Sequence, residues 1–131
     1  LAGMLDGTRN LVKKVTFRPE EAIEALHSWE GKHTRHIVGP PFLVHRLVNY
    51  CIDNNIKLQL DKNSLIITLG GWKKFTGHEI PRSEFNKICS EYLGIQTSNI
   101  RDMYGLVEAN MLAVECEEQE KHVPPWVHLS L

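Results

Sequence analysis

Apolar positions along this chain recur with two different periods, and the switching between them predicts helices separated by short strands. Between Pro19 and Gly31, Ala22, Ile23, Leu26 and Trp29 recur at helical spacing; Pro19 suits a first turn, where its missing N–H goes unnoticed, and Gly31 suits a stop. The run His36-Ile37-Val38-Gly39 has the length and flanks of a buried strand. Pro40-Pro41 opens a second helix, in which Leu43, Leu47, Val48, Cys51 and Ile52 form one apolar stripe ending near Asn54-Asn55. Ser64 to Leu69 is a continuous β-branched and apolar run closed by two glycines, the pattern of a strand covered on both faces in a parallel sheet. Pro81 begins a third helix with Phe85, Ile88, Cys89, Tyr92 and Leu93 on one face and Gly94 at its end. A strand from Asn99 to Tyr104 follows.

Strands alternating with helices of this length predict an α/β fold: a mostly parallel sheet with flanking helices and right-handed crossovers. Ligands on such sheets bind at the carboxyl ends of the strands. Two glycine turns, Gly70-Gly71 and the one at Gly105, fall at such ends. After Glu108 the pattern changes. Met111 to Cys116 and Val127 to Leu131 read as extended segments around an acidic, proline-containing loop, an additional antiparallel element. The organisation expected is a lead-in over 1–18, an α/β core over 19–110, and extended segments of an adjoining sheet over 111–131.

Composition narrows the function classes. With 131 residues, 42% hydrophobic and 24% charged, the chain can bury a core without disulfide staples. A net charge of −1 gives no electrostatic footprint for nucleic acid or an anionic membrane, so neither is expected as a partner. The sequence contains no apolar run long enough for a transmembrane helix and no basic-then-apolar leader, which predicts a cytoplasmic protein. Three cysteines without CxxC spacing fit a reducing compartment. The chain opens on Leu1 and is read as a fragment of something longer.

The stretch Ile100-Arg101-Asp102-Met103-Tyr104-Gly105-Leu106-Val107-Glu108 joins a strand to a glycine turn presenting one aromatic and one carboxylate, which reads as a nucleotide and metal site. Tyr104 offers a flat surface for a purine, Gly105 a close backbone approach, and Glu108 a hard oxygen ligand of the kind Mg2+ takes alongside substrate phosphates. Gly70 and Gly71 likewise let the backbone turn sharply and approach a ligand without a Cβ in the way. From these residues alone, a plain strand and turn with an exposed Glu108 remains the alternative.

The spacing of Gly70-Gly71 and Asp102-x-Tyr104-Gly105-x-x-Glu108 resembles the adenylate-forming (ANL) superfamily. Gly70-Gly71-Trp72-Lys73, Ile100-Arg101-Asp102 and His122-Val123-Pro124-Pro125-Trp126 resemble its acyl-protein synthetase (LuxE-type) branch. The resemblance implies ATP-dependent activation of a carboxylic acid, a fatty acid, as acyl-AMP, and transfer of the acyl group to a thiol. It places Tyr104 on adenine, Asp102 in the adenine pocket, Gly70 and Gly71 against the adenine and acyl sides, and Glu108 on Mg2+ as the catalytic carboxylate. The thiol acceptor it implies is a protein cysteine or CoA, and an acyl-reductase or carrier is the implied partner protein. Val107 departs from the commonest form, where a threonine hydroxyl contacts phosphate and valine has none to offer. The superfamily's upstream phosphate loop and downstream mobile domain have no counterpart here. A phenylacetate-type CoA ligase is the alternative enzyme; a non-catalytic protein-binding scaffold is the alternative outside enzymes.

Other residues carry weaker signals. Trp72, Lys73 and Lys74 stand evenly between lining an acid or phosphate site and forming a surface loop, and His78 and Glu79 are uncommitted. Cys51 and Cys89 fall on apolar helix faces and are expected to be inert. Cys116 lies between Glu115 and Glu117, whose charges are expected to raise its pKa. Nothing completes a metal site around His33 and His36, and His45 is expected to face solvent. Glu115 to Glu120 reads as a solvated loop, and neither a Ser-His-Asp nor a Cys-His arrangement can be assembled.

Overall fold

Proline sets the start of each α-helix among the described residues. In the computed structural model, which describes residues 12–13, 16–72, 79–106 and 111–128, α1 (Pro19–Ser28) and α2 (Pro41–Asp53) begin on a proline, and α3 (Arg82–Leu93) begins just after Pro81. At the other end of α3, Gly94 takes the left-handed conformation (φ 61°) and donates its N–H to the Ser90 carbonyl at 3.1 Å. No helix among the described residues is long and apolar enough to cross a membrane.

A short antiparallel ribbon, β1 (Val12–Lys13) and β2 (Thr16–Phe17), precedes α1. The main sheet contains β3 (Ile37–Gly39), β4 (Ile66–Leu69), β5 (Ile100–Leu106), β6 (Met111–Glu115) and β7 (Lys121–His122), in that spatial order. β3, β4 and β5 are parallel; β6 and β7 add on antiparallel, within the same sheet. The architecture is therefore α/β, as the alternation of strands and helices predicts. Val127 and His128 lie outside any strand, the chain turning there with the Val127 N–H on the Pro124 carbonyl at 2.9 Å.

One core holds the layers together. Ile66 and Ile100 on the sheet pack with Ala22, Ile23 and Leu26 of α1, Val44, Leu47, Val48 and Cys51 of α2, and Phe85, Cys89 and Leu93 of α3. Because all three helices share that cluster, they cover one face of the sheet. The expectation that β3 and β4 are buried on both sides is corrected accordingly: Val38 of β3 is 59% exposed, and Ile67 and Leu69 of β4 are half-buried. The buried stripe of α2 is also shifted from the expected one, with Val44 inside and Ile52 on the surface, since α2 sits between α1 and α3.

A buried cation ties the helix layer to the loop before β4. Arg35, 2% exposed, donates Nε to Asp61 Oδ2 at 2.9 Å, Nη1 to the Leu26 carbonyl at 3.0 Å and Nη2 to the Gln59 carbonyl at 2.6 Å. That guanidinium hydrogen bond holds the Asp61 carboxyl below the usual aspartate range.

Candidate nucleotide site

At the carboxyl end of β4 the chain turns through Gly70 (φ 78°) and Gly71 (φ 62°), a conformation that costs a residue with a side chain about 1–2 kcal/mol. Nothing among the described residues lies within 4 Å of where a Cβ would stand on either glycine. The β4–β5 register ends at Leu69↔Met103, which means the turn leaves the sheet where β5 runs on through Tyr104 and Gly105. Tyr104 is 52% exposed, and a Cβ on Gly105 would meet Leu112 Cδ1 at 3.5 Å and the Met111 carbonyl oxygen at 3.8 Å, both ordinary contacts.

Gly70, Gly71, Asp102, Tyr104 and Gly105 are thus gathered at one end of adjacent strands. Tyr104 and Gly105 form no turn, contrary to the sequence reading. They remain in β5, opposite Ala113 and Leu112 of β6, because the hairpin carries the strand to Leu106. Val107 and Glu108 lie outside the described residues, as do Lys73, Lys74 and His78.

Beneath Tyr104 a polar row crosses the sheet. Thr68 is in register with Asp102, and Glu115 with Lys121. One residue past the last β5–β6 pair, Met103↔Val114, the Asp102 N–H goes to the Glu115 carboxylate, at 2.6 Å on Oε2. The same oxygen accepts from Arg82 Nη2 at 2.9 Å, while Lys121 Nζ reaches Glu115 Oε1 at 3.0 Å and Asp102 Oδ2 at 3.1 Å. Asp102 Oδ1 accepts from Thr68 Oγ1 at 2.8 Å. Arg82 is fixed in turn by Asn86 Oδ1 at 3.0 Å and the Ile100 carbonyl at 3.1 Å. Partial burial lowers a lysine, yet the Glu115 and Asp102 carboxylates outweigh it and the net shift of Lys121 is upward. Two cations and two carboxylates balance, and the Asp102 carboxylate is aimed by partners on β4 and β7.

The sequence reading missed Glu115, treating it as part of a solvated loop; it is 7% exposed. A signal was available: Met111, Ala113 and Glu115 alternate along β6, and the first two are buried. Trp72, half-buried, packs edge-on against Phe85 and His45, with ring centroids 6.1 and 5.5 Å away. His45 is consequently half-buried rather than solvent-facing, and burial lowers its pKa against the pull of Glu84. His36 accepts the Leu65 N–H on Nδ1 at 3.1 Å.

Cys116 is a second correction. Its pKa is lowered, first by a hydrogen bond with His122 and then by the Glu120 backbone, where flanking carboxylates were expected to raise it. Glu115 is turned away toward Arg82 and Lys121, and the tight β6–β7 turn sets His122 diagonally across from the thiol. The β6–β7 register thus brings a thiol and an imidazole to diagonal neighbouring positions. Cys51 and Cys89 are fully buried as expected, and burial raises both, Cys89 to about 12. A shallow polar cleft of about 500 Å³ opens on the far side of Arg82, lined by Ser83, Asn86, Thr97, Ser98, Glu117, Glu118 and Gln119 as well. Its two glutamates offset the arginine, and neither glycine turn borders it.

Residues 12–131 match the sequence profile of the family described as acyl-protein synthetase, LuxE. The chain belongs to that family. This LuxE-family chain is similar to two enzymes named long-chain-fatty-acid–luciferin-component ligase. The one from Aliivibrio fischeri is 40% identical over 93 residues, 70% of this chain and 25% of that ligase. The one from Vibrio harveyi is 32% identical over 92 residues, 70% of this chain and 24% of that ligase. The chain spans about a quarter of the length of these relatives. No solved structure matches.

This family member thus presents an exposed aromatic ring and two left-handed glycines at the carboxyl ends of adjacent strands, with a carboxylate held two residues before the ring. Among the described residues no three His, Cys, Asp or Glu side chains converge as a metal site. Asp102 is engaged by Thr68 on one carboxylate oxygen and by Lys121 on the other.

Proposed function

We propose that this chain forms the adenylate-binding part of an acyl-protein synthetase, which activates a long-chain fatty acid with ATP and passes the acyl group to a thiol. The support is the pairing of an open left-handed glycine turn with the exposed Tyr104 at the carboxyl ends of β4 and β5, together with family membership. In this reading Tyr104 stacks on the purine, Gly70 and Gly71 let the main chain close on the nucleotide, and Asp102 borders the adenine. A carboxylate oxygen of the acid attacks the α-phosphorus, pyrophosphate leaves, and acyl-AMP remains; a thiolate then attacks the acyl carbon and AMP departs. Glu108 would hold Mg2+, whose charge would offset that of the phosphates. The contribution of the chain's own residues is positioning.

The test is acid-dependent ATP–pyrophosphate exchange by the complete gene product across fatty and aromatic acids, with Tyr104→Ala and Glu108→Ala beside it. Exchange that needs an acid and falls in both variants supports adenylation and identifies the substrate class. No exchange with any acid by folded protein overturns it. Competition between CoA and a protein thiol decides the acceptor. The 131-residue chain alone is expected to bind nucleotide weakly and to catalyse no exchange.

A further inference from the structure

We propose that Glu115 is the positioning residue of this site and acts through Lys121 and the β5 backbone. The inference rests on the nucleotide reading of Asp102 and Tyr104 given above. Three observations carry it. Glu115 is a 7% exposed carboxylate, and groups on three other elements converge on it: Arg82 of α3, the Asp102 N–H of β5 and Lys121 of β7. A buried charge this fully paired resists displacement, because removing one partner leaves the others desolvated and unsatisfied. Lys121 then bridges Glu115 to the other face of the site, placing its ammonium on Asp102 Oδ2 while Thr68 holds Oδ1.

The consequence is geometric. The N–H of Asp102 is anchored two residues before Tyr104, on the same side of the strand, and both oxygens of the Asp102 carboxylate are occupied from within the protein. Without Glu115, Lys121 retains Asp102 as its carboxylate partner, and the Asp102 N–H and Arg82 lose theirs. Asp102 and the strand carrying Tyr104 are then free to shift relative to the Gly70-Gly71 turn. Glu115 never needs to touch the nucleotide to govern how tightly it is held.

The experiment measures the KM for ATP, the KM for the acid and kcat in pyrophosphate exchange by the complete gene product. The variants are Glu115→Gln, Lys121→Met, Lys121→Arg, Asp102→Asn and Tyr104→Ala. Lys121 is half-exposed on a terminal strand of the sheet, so its variants remain informative even if Glu115→Gln does not fold. Loss of one charge-assisted contact is expected to raise the KM for ATP about tenfold in Glu115→Gln and Lys121→Met, leaving the KM for the acid in place. Lys121→Arg restores the cation and most of the affinity. Glu115→Gln and Asp102→Asn combined are expected to cost less than the sum of the two. If Asp102→Asn and Tyr104→Ala leave the KM for ATP unchanged, the nucleotide reading falls and this proposal with it. If those two raise it while Lys121→Met does not, the positioning role alone is overturned. Equal losses in Lys121→Met and Lys121→Arg also overturn it.

Discussion

Gly31 and Gly71 form a matched pair on which the nucleotide site can be tested. Their φ angles are 70° and 62°, and nothing among the described residues lies within 4 Å of a Cβ built on either. Alanine at each position therefore meets only the left-handed backbone penalty, about 1–2 kcal/mol, and the two variants are expected to lose stability equally. Gly94→Ala sets the upper end of the scale. Its Cβ would lie 2.7 Å from the Leu58 carbonyl oxygen and 2.8 Å from Gln59 Cα, backbone atoms that have to move. Moving them strains the hydrogen bonds of the Leu58 and Leu60 N–H groups to Tyr92 and Leu93, at 2.8 and 2.9 Å. At roughly 1 kcal/mol each on top of the strain, Gly94→Ala is expected to cost about 3–4 kcal/mol. Function separates the first two variants. If the Gly71 turn relieves its strain by rotating away from the nucleotide, the same free energy appears as about a 5- to 30-fold rise in the KM for ATP. Gly31→Ala should leave that KM unchanged. Urea denaturation followed by circular dichroism, with pyrophosphate exchange on the same preparations, reads both effects. A KM for ATP that does not respond to Gly71→Ala refutes the close approach of a nucleotide to this turn, and a Gly71→Ala stability loss well above that of Gly31→Ala refutes the open space in front of it.

Two further outcomes follow from the titrating groups. Cys116 should be alkylated by iodoacetamide well before Cys51 and Cys89, with a reactivity midpoint below that of an ordinary thiol, and His122→Ala should move the midpoint upward; mass spectrometry of the modified sites across pH checks both, and an unshifted midpoint in His122→Ala would remove the Cys-His pairing. Asp61 has a folded-state pKa below its unfolded value of about 3.9, so its contribution to stability is present above that pH and lost as pH falls through the lowered folded value. Asp61→Asn should thus destabilise at neutral pH and converge on the parent in acid, in melting curves recorded from pH 7 down to roughly pH 2; a constant gap between the two would argue against the Arg35 pairing as its source.

The elements of this protein were legible in its sequence because each rests on local chemistry. Prolines at helix starts, Gly94 at a helix end, and apolar residues at helical or strand spacing act within a few residues of themselves, and the three helices and the parallel strands stand where that chemistry puts them. The left-handed turn at Gly70-Gly71 was legible too, since such a turn depends little on distant neighbours. Only the tertiary structure decided which charges meet. Arg82, Glu115, Lys121 and Asp102 come from four elements; because β6 returns antiparallel beside β5, an apparently solvated glutamate lies against a strand thirteen residues earlier and under the end of α3. The same return stroke sets Cys116 against His122 and reverses the direction of its pKa shift. It was also the tertiary structure that left one sheet face bare of the described helices, because all three share one core, a matter of layer packing that no single strand's composition records. Hydrophobic period is a property of a segment, whereas electrostatic pairing and face coverage are properties of what the chain brings back to that segment.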